Sequence, residues 1–369
     1  MVVGVKIRIA IAGVGNCASS LLQGIHFYRE GRTVPEGVMH PKIGSWAPGD
    51  IEVVTAFDVD RRKVGVPVNQ AVFAQPNCAQ VFHANLNGDS PVVKMGPVLD
   101  GCAEHLQEFP EEQRIILADQ SPVDVAEELR ASKAEVLVCY LPVGAEAAVR
   151  HYAQACLDAG VAMVNCVPVF IASKPEWAEK FKNAGVPIVG DDVKSQLGAT
   201  ILHRALARLF ADRGVSVDRT YQLNTGGNTD FLNMLARDRL DSKKISKTQA
   251  VQAQLDTPLP SDQIHVGPSD YVPWQKDNKV AFIRLEGAGF GGVPLELECR
   301  LSVQDSPNSG GVVIDAIRCA KLALERKLSG PLEATSAYYM KSPPVQIPDH
   351  VARQKNMEFI QQPGPVPAV

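Results

Sequence analysis

Three lysines lie within five positions of the segment LDSKKISKTQAV, which covers residues 240–251. Lys243 and Lys247 are four positions apart and share one face if the segment is helical, whereas Lys244 turns away. Like charges at this spacing repel each other, and a bound phosphate would relieve the repulsion. Crowded positive charge also lowers a lysine pKa towards the range of acid–base catalysis. The segment indicates a site for an anionic substrate, with a solvated helix face as the alternative.

A glycine motif stands between an apolar run and an amphipathic stretch in IAIAGVGNCASSL. Gly13, Gly15 and Ala18 match the pattern GxGxxA. Gly13 permits a tight turn, Gly15 lets the backbone approach a pyrophosphate, and Ala18 lets the helix pack closely on the strand. Free N–H groups at the helix start would bind the anion. The motif predicts dinucleotide binding, and a tight turn without a ligand is the alternative.

Asp58 ends a second apolar run in VVTAFDVD, where an acidic residue commonly binds the adenosine ribose. It comes later than the usual spacing of about 20 residues, and a Gly- and Pro-rich insertion at 31–50 explains the delay. A carboxylate here favours NAD over NADP, because it would repel a 2′-phosphate. The alternative is a cap on the following helix.

Four polar residues follow another predicted strand in IVGDDVKSQLGAT. They are Asp191, Asp192, Lys194 and Ser195. Open α/β sheets bind ligands at the carboxyl ends of their strands, so this group is a candidate binding site. The alternative is a helix cap with solvated charges.

Three later segments carry polar groups at turns. Asp230 follows the glycines of NTGGNTDFLNM, and Asp305, Ser306 and Asn308 follow an alternating strand in VQDSPNSGG. Lys341 stands between an aromatic pair and two prolines in YYMKSPP, which predicts an ordered lysine. Each segment could form a ligand site or only a turn.

The composition is typical of a soluble globular protein. The 369 residues are 45% hydrophobic and 21% charged, and the formal net charge is −4. The chain has no basic patch with interleaved aromatics, no apolar run of about 20 residues, and no signal-peptide cleavage pattern at its start. Eight cysteines without a CxxC pair predict reduced thiols, and the histidines form no metal motif. We therefore expect a cytoplasmic protein without a nucleic-acid or membrane partner.

Strand-like and helix-like segments alternate in the first half of the chain. Apolar runs at 7–12, 51–57, 136–141, 161–164 and 187–189 are separated by amphipathic stretches. Two of these stretches predict helices, one ending near Gly31 and one ending at Gly160. Short buried strands alternating with helices predict an α/β fold with a parallel sheet covered on both faces.

The pattern changes near Asp218. In VPLELECRLSVQD, apolar and polar residues alternate from 295 to 303, which predicts a strand with one buried face. The preceding KVAFIRLEG is joined to it by the glycine-rich GAGFGG, which predicts a hairpin in an antiparallel or mixed sheet. A helical pattern returns after Ser309 and ends at the SGP of 329–331.

Taken together, these segments resemble inositol-3-phosphate synthase (myo-inositol-1-phosphate synthase) in its short bacterial form. The matching stretches are GVGNCASSL, VGDDVKSQLGAT, TGGNTDFLNM, SKKISKTQAV, GPSDYVPWQKDNKVAFIRLEG, DSPNSGGVVIDAIRCAK and YMKSPP, within residues 6–344. The resemblance implies a Rossmann-type doubly wound parallel sheet with an inserted α+β domain. It implies an NAD-binding domain at 1–200 and 308–369, and a catalytic and oligomerisation domain at 201–307.

The resemblance also implies a reaction. The family converts D-glucose 6-phosphate to 1D-myo-inositol 3-phosphate, which is 1L-myo-inositol 1-phosphate in the other convention, without net consumption of NAD. The C5 hydroxyl is oxidised, the ketone acidifies C6, the C6 enolate closes on the C1 aldehyde, and C5 is reduced again. A homotetramer is implied as well. Some relatives use zinc or a monovalent cation, which no motif here tests.

Site residues follow from the matching motif positions. The implied catalytic residues are Lys243, Lys247, Lys279, Lys341, Asp192 and Asp305. Lys243 is expected to shuttle the C5 proton, Lys279 and Lys341 to polarise oxygens, and Lys247 to help hold the substrate. The implied NAD-binding residues are Gly13, Gly15, Asn16, Cys17, Asp58, Ser195, Asp230, Lys243 and Ser306, with Lys194 adjacent.

Two other functions remain open at this point. An NAD-dependent sugar-phosphate dehydrogenase with net redox turnover would share the glycine motif and Asp58, but it would not need four separated lysines. A non-catalytic sensor of NAD and a sugar phosphate would leave Lys243, Lys279 and Lys341 without acid–base work.

Overall fold

The computed structural model describes residues 5–31, 36–236, 241–255, 257–267 and 270–362, and within these ranges the side chains of 241–244 are outside the description. The strands are β1 (Ile7–Ala12), β2 (Ile51–Asp58), β3 (Val93–Met95), β4 (Val136–Cys139), β5 (Ala162–Asn165), β6 (Pro187–Val189), β7 (Arg219–Gly226), β8 (Ile264–Val266), β9 (Asp270–Tyr271), β10 (Asn278–Ala288), β11 (Pro294–Gln304) and β12 (Gly330–Pro331). The α-helices are α1 (Asn16–Arg29), α2 (Val68–Ala71), α3 (Val125–Ala131), α4 (Glu146–Ala159), α5 (Pro175–Asn183), α6 (Ala199–Asp212), α7 (Thr229–Asn233), α8 (Asp241–Gln252), α9 (Asp305–Glu325), α10 (Glu333–Tyr339) and α11 (Asp349–Gln361).

A parallel sheet of seven strands forms the larger part of the structure. Its order is β12-β6-β5-β4-β1-β2-β3, and every neighbouring pair is parallel. All five apolar runs predicted as strands lie in this sheet. The predicted α/β fold with a parallel sheet is therefore confirmed.

Helices cover both faces of this sheet, as the period-two alternation of a buried strand requires. Ile7, Ile9 and Ile11 of β1 pack in one core with α1 and α9, while Ala10 and Ala12 pack in the other with α3 and α4. The predicted stop at Gly160 is confirmed, because Gly160 caps α4 in the left-handed conformation that glycine adopts at low cost. Helix α1 ends at Arg29, two residues before the predicted Gly31.

A second, mixed sheet follows α6. Strands β11, β10 and β7 are antiparallel neighbours, and β8 and β9 pair with β7 in parallel. The predicted hairpin is confirmed by the continuous β10–β11 ladder from Asn278↔Gln304 to Ala288↔Pro294. One face packs on α6, where Ala207 and Phe210 contact Ile283 and Leu285.

The prediction that one face of β11 is buried is wrong, although the predicted alternation is present. The residues alternate as predicted, but β11 is the edge strand and its apolar face is only partly covered. Leu295 keeps 40% of its surface exposed. Periodicity gives the side of a strand on which a residue lies, whereas burial depends on what packs there.

The two sheets meet near the carboxyl ends of the parallel strands. The start of α9 and part of α8 also lie there. None of the described helices combines the length and the apolar character that crossing a membrane requires. No structural comparison bears on the domain bounds inferred from the sequence, which stay a prediction.

Candidate active site

One cavity at the carboxyl ends of the parallel strands brings the predicted residues together. The predicted residues that line it are Gly13, Gly15, Asn16, Cys17, Asp58, Asp192, Ser195, Asp230, Lys247, Lys279, Asp305, Ser306 and Lys341. They come from both sheets and from the turns between them, so the folded chain collects groups up to about 330 positions apart. The side chain of Lys243 lies outside the described residues, although its position belongs to α8.

The glycine loop has the geometry that its motif predicts. Gly13 has a φ of +93°, and a Cβ there would lie 2.7 Å from the Tyr140 carbonyl oxygen, so only glycine fits without strain. At Gly15 no atom lies within 4 Å of a would-be Cβ, and the loop therefore leaves room for a ligand. Helix α1 begins directly after Gly15 with no side-chain cap on its first N–H groups. These groups could bind an anion in the cavity.

Asn16 and Cys17 have different surroundings at the start of α1. The Asn16 side-chain oxygen accepts hydrogen bonds from the amides of Cys78 and Ala79, at 2.6 and 2.8 Å, and so holds that loop against the cavity. Burial raises the pKa of the Cys17 thiol to about 12, and the nearby Asp277 charge adds to the effect. Cys17 is therefore a neutral thiol and not a nucleophile at neutral pH.

Asp58 ends β2 and fixes the glycine loop. One carboxylate oxygen accepts from the Val14 amide at 2.7 Å, and the other accepts from the Val59 and Asp60 amides. The alternative of a helix cap is wrong, because the next helix begins only at Val68. A carboxylate lining the cavity here could also accept hydrogen bonds from ribose hydroxyls.

Lys63 and Asn77 were missed by the sequence analysis. The Lys63 ammonium donates to the Val14 carbonyl and to the Asn77 side-chain oxygen, both at 2.9 Å, and Asn77 donates to the same carbonyl at 3.1 Å. Because Asp58 holds the Val14 amide, both peptide groups of this residue are fixed. Burial lowers the pKa of Lys63. The letters RRKVG resemble a surface run, so the sequence carried no signal of this role.

Asp192 joins Lys341 to helix α8. Its two carboxylate oxygens accept from the Lys341 ammonium at 2.7 Å and from the Ser246 hydroxyl at 2.8 Å. A backbone hydrogen bond from Lys341 to Asp192 holds the pair in register. The alternative of solvated charges is wrong, because Asp191, Asp192 and Lys194 are all buried.

Asp191 stabilises the same turn through hydrogen bonds to its carboxylate. Its carboxylate accepts from the Asn165 side chain, from three amides between Ile171 and Ser173, and from the Ser173 hydroxyl. Burial raises its pKa to about 6, against the effect of these donors. Lys194 does not line the cavity: its ammonium donates to the Ala337 carbonyl at 2.7 Å and to Asp349 at 3.0 Å.

Lys279 and Asp305 form a second ion pair in the cavity, at 3.2 Å. Burial acts to lower the pKa of Lys279, but the charge and hydrogen bond of Asp305 outweigh it and the pKa is raised. Asp230 and Asp192 act in the same direction. Lys279 therefore stays an ammonium at neutral pH, which suits it to stabilise an oxyanion.

Asp277 is a further residue that the sequence analysis missed. It accepts from the Asn228 side chain at 2.9 Å, and from the Ser306 amide and hydroxyl at 3.0 and 2.8 Å. Burial raises its pKa to about 6, and the charge of Asp305 adds to this effect. Asp277 thereby orients two residues that line the cavity. Its position in WQKDNKV, between other charged residues, does not distinguish it from a surface aspartate.

Two buried polar atoms in the cavity wall have no hydrogen-bond partner within the described residues. They are the Tyr140 hydroxyl and the side-chain oxygen of Asn233. Buried polar groups are usually satisfied, so these atoms are candidates for contacts with a ligand. Over the same part of the chain, His, Cys, Asp and Glu side chains form no group of three or more that could hold a metal ion.

Comparisons with known proteins give consistent matches. The family model of myo-inositol-1-phosphate synthase matches residues 198–306. The chain is 56% identical over 366 residues to the inositol-3-phosphate synthase of Corynebacterium glutamicum, covering 96% of this chain and 98% of that protein. It is 54% identical to the inositol-3-phosphate synthase of Mycolicibacterium smegmatis, with coverage of 96% and 98%. The crystal structure of a myo-inositol-1-phosphate synthase-related protein from Thermotoga maritima aligns with a TM-score of 0.82 at 26% identity, covering 98% of this chain and 100% of that one.

Proposed function

The chain belongs to the inositol-3-phosphate synthase family, and on that premise we propose that it is an isomerase that converts D-glucose 6-phosphate to 1D-myo-inositol 3-phosphate with NAD as a recycled cofactor. The resemblance inferred from its motifs is confirmed. The observation that carries the proposal is that one cavity contains both a dinucleotide-type glycine loop and Lys247, Lys279 and Lys341.

The residues present fit NAD. The open space above Gly15, the uncapped start of α1 and the Asp58 carboxylate match what a pyrophosphate and a ribose require. The Tyr140 hydroxyl and the Asn233 side-chain oxygen, which have no hydrogen-bond partner among the described residues, could provide further polar contacts. When bound, NAD would accept a hydride from C5 of the substrate and return it after ring closure.

The lysines would supply positive charge where oxygens become negative. Loss of the C6 proton generates an enolate, and closure of this enolate on the C1 aldehyde then generates an alkoxide. Preorganised ammonium groups stabilise such charge strongly in a site that excludes water. Lys279, kept protonated by Asp305, and Lys341, held by Asp192, are the proposed donors to these oxygens. Lys247 is buried in the cavity wall and is proposed to bind the substrate, whose phosphate is anionic.

Proton transfer at the C5 hydroxyl is assigned to Lys243, which lies one helical turn before Lys247 in α8. The hydroxyl must lose its proton as the hydride leaves and regain it at the end. A lysine among other cations has a lowered pKa and can both accept and return a proton. Asp305, Ser306 and Asp230 are proposed to lie near the nicotinamide, and Ser195 to contact the cofactor.

The test is a turnover experiment with purified protein, glucose 6-phosphate and substoichiometric NAD. Phosphorus NMR follows the product, and absorbance at 340 nm follows NADH. We expect inositol phosphate to accumulate in excess over NAD without a steady rise in NADH. A steady rise matched to an oxidised sugar phosphate would instead indicate a dehydrogenase, and NAD binding without turnover would indicate a sensor.

The same assay tests whether turnover requires a cation. Addition of zinc, potassium or ammonium after treatment with a chelator tests the requirement. Restoration of lost turnover by one of these ions would establish it.

We also infer a homotetramer and a cytoplasmic location. The partly exposed apolar residues of the second sheet support self-association, since such a surface is unusual on a monomer. The eight cysteines all lie in the described part and are free, which fits a reducing compartment. The proposed domain bounds, 1–200 with 308–369 and 201–307, place Lys243, Lys247 and Lys279 in the inserted domain.

A further inference from the structure

A cluster of three charges, two buried cations and one half-buried carboxylate, lies outside the cavity, behind Asp192. Asp349, the first residue of α11, accepts from the Lys194 ammonium at 3.0 Å. The same carboxylate accepts from Arg204 of α6, with Nε at 2.6 Å and a terminal nitrogen at 3.1 Å. Lys194 and Arg204 are 1% and 0% exposed. One carboxylate therefore orients two buried cations from different parts of the chain.

Arg204 extends from this carboxylate to helix α8. Its other terminal nitrogen donates to the carbonyl of Ala250, within the last turn of α8. The last four carbonyls of a helix have no partner inside the helix, and a cation there also interacts favourably with the helix dipole. Ala250 is three residues after Lys247 and is itself fully buried. Arg204 is thus a buried cap of the lysine-bearing helix.

The second cation connects the same carboxylate, through the Asp192 turn, to a residue one turn earlier in α8. Lys194 is two residues from Asp192, whose carboxylate binds Ser246 of α8 and the ammonium of Lys341. The Lys194 amide and ammonium also donate to the carbonyls of Tyr339 and Ala337, just before Lys341. The C-terminal end of α8 and the Asp192 turn therefore both depend on residues that Asp349 holds.

The charges explain why this carboxylate matters. Burial and the nearby Arg204 charge together lower the pKa of Lys194 to about 8, although Asp349 opposes both. Burial would raise the pKa of Asp349, but the two cations outweigh it and the pKa is lowered. Without the carboxylate, two buried cations would face each other across a short distance, and they would have to move apart or admit water.

We propose that Asp349 is a positioning residue for the synthase reaction, which sets the place of helix α8 and of Lys341 through Arg204 and Lys194. This inference rests on the proposed function only for its kinetic consequence. Asp349 does not line the cavity, and its effect is on the geometry of Lys247 and Lys341. Displacement of a reacting group by about 1 Å can cost a factor of about 100 in rate.

The experiment compares Asp349→Asn and Arg204→Lys with two controls. Lysine keeps the charge of Arg204 but cannot reach Asp349 and the Ala250 carbonyl with a planar fork. The controls are Glu358→Gln, an exposed carboxylate on α11, and Arg208→Lys, one turn after Arg204 on α6. Because Arg204→Lys leaves no cation unpaired, it keeps the test valid if Asp349→Asn does not fold.

Two readouts are measured on the full chain. We expect both test variants to lower kcat at least about tenfold while the Kd for NAD changes less than about twofold, because the glycine loop is on other elements. Amide hydrogen exchange should accelerate in 245–252 and stay unchanged in α1. The controls should resemble the wild type in both measurements.

Three results would overturn the inference. They are an unchanged kcat in Arg204→Lys, a parallel loss of kcat and NAD affinity, and faster exchange throughout the chain. If the wild type forms no inositol phosphate, the proposed function fails separately. In that case the exchange of 245–252 still decides whether Asp349 positions α8.

Discussion

At the scale of single residues, Gly15 offers the sharpest test of the cofactor site. Its backbone is extended, with φ −88° and ψ −160°, so a side chain causes no strain. No protein atom lies within 4 Å of a would-be Cβ. Valine there should leave thermal stability unchanged while it fills space that the pyrophosphate needs. We expect Gly15→Val to weaken NAD binding at least about tenfold.

Gly13→Val is the contrasting control. Gly13 has a positive φ, and its Cβ would collide with the Tyr140 carbonyl, so this variant should lose stability as well as affinity. Calorimetry gives the Kd for NAD, and thermal unfolding gives stability. Normal NAD affinity in a folded Gly15→Val protein would contradict the assignment of the loop.

Asp277 predicts a pH dependence of stability. Burial, with help from Asp305, raises its folded pKa to about 6, against about 3.9 in an unfolded chain. At a pH between these two pKa values, Asp277 is therefore protonated in the folded state and ionised in the unfolded state. The resulting stabilisation is fully present below about pH 4 and is lost as pH rises through about 6. Its size is of the order of 3 kcal/mol, for a shift of about two units.

The measurement compares wild type with Asp277→Asn by urea unfolding at pH 4 and pH 7. We expect the free energy of unfolding of the wild type, relative to the variant, to fall by up to about 3 kcal/mol over this range. Taking the difference in unfolding free energy between the two proteins cancels the contribution of the titrating groups that both contain. An identical pH dependence in the two proteins would show that Asp277 does not titrate in this window.

At the scale of elements, helix α8 carries the catalytic prediction. Lys243 and Lys247 are one turn apart, and Lys244 has no assigned role. We expect Lys243→Ala to abolish turnover while circular dichroism and thermal unfolding show a folded protein, because the C5 hydroxyl loses its proton acceptor. Lys244→Ala is the matched control and should keep near-normal kcat. Near-normal turnover in Lys243→Ala would refute the assignment.

The elements also show what the sequence could and could not predict. Five of the seven strands of the parallel sheet were predictable because buried strands read as short apolar runs, whereas the short β3 and β12 were not predicted. Gly160 ends α4 as glycine commonly does. Lys63 and Asp277 were not predictable. Both are buried charges within polar stretches, and only the folded chain shows which oxygen or amide each one binds. Lys279 was found only through the family resemblance.

At the scale of the whole molecule, the outer face of the second sheet carries exposed apolar side chains. Leu223 of β7 lies directly opposite Phe282 of β10 on this face, and they are 44% and 42% exposed. Ion pairs among Arg219, Arg284 and Glu286 lie beside them. An apolar centre with a charged border is the usual anatomy of a protein–protein interface.

The exposed apolar residues of this face predict that it is a subunit interface of the proposed tetramer. A buried, unpaired carboxylate is costly at an interface, whereas the same group is tolerated on an exposed sheet face. We therefore expect Leu223→Glu to reduce the molar mass measured by light scattering to that of a smaller assembly, without unfolding the subunit. Leu117→Glu, at a residue 47% exposed in the first half of the chain, is the control and should leave the mass unchanged.

Equal masses for Leu223→Glu and a tetrameric wild type would place the interface on another surface, and a monomeric wild type would contradict the proposed tetramer. Because Lys279 lies in β10 and Asp277 directly precedes that strand, loss of the assembly should also lower kcat if the interface supports the site.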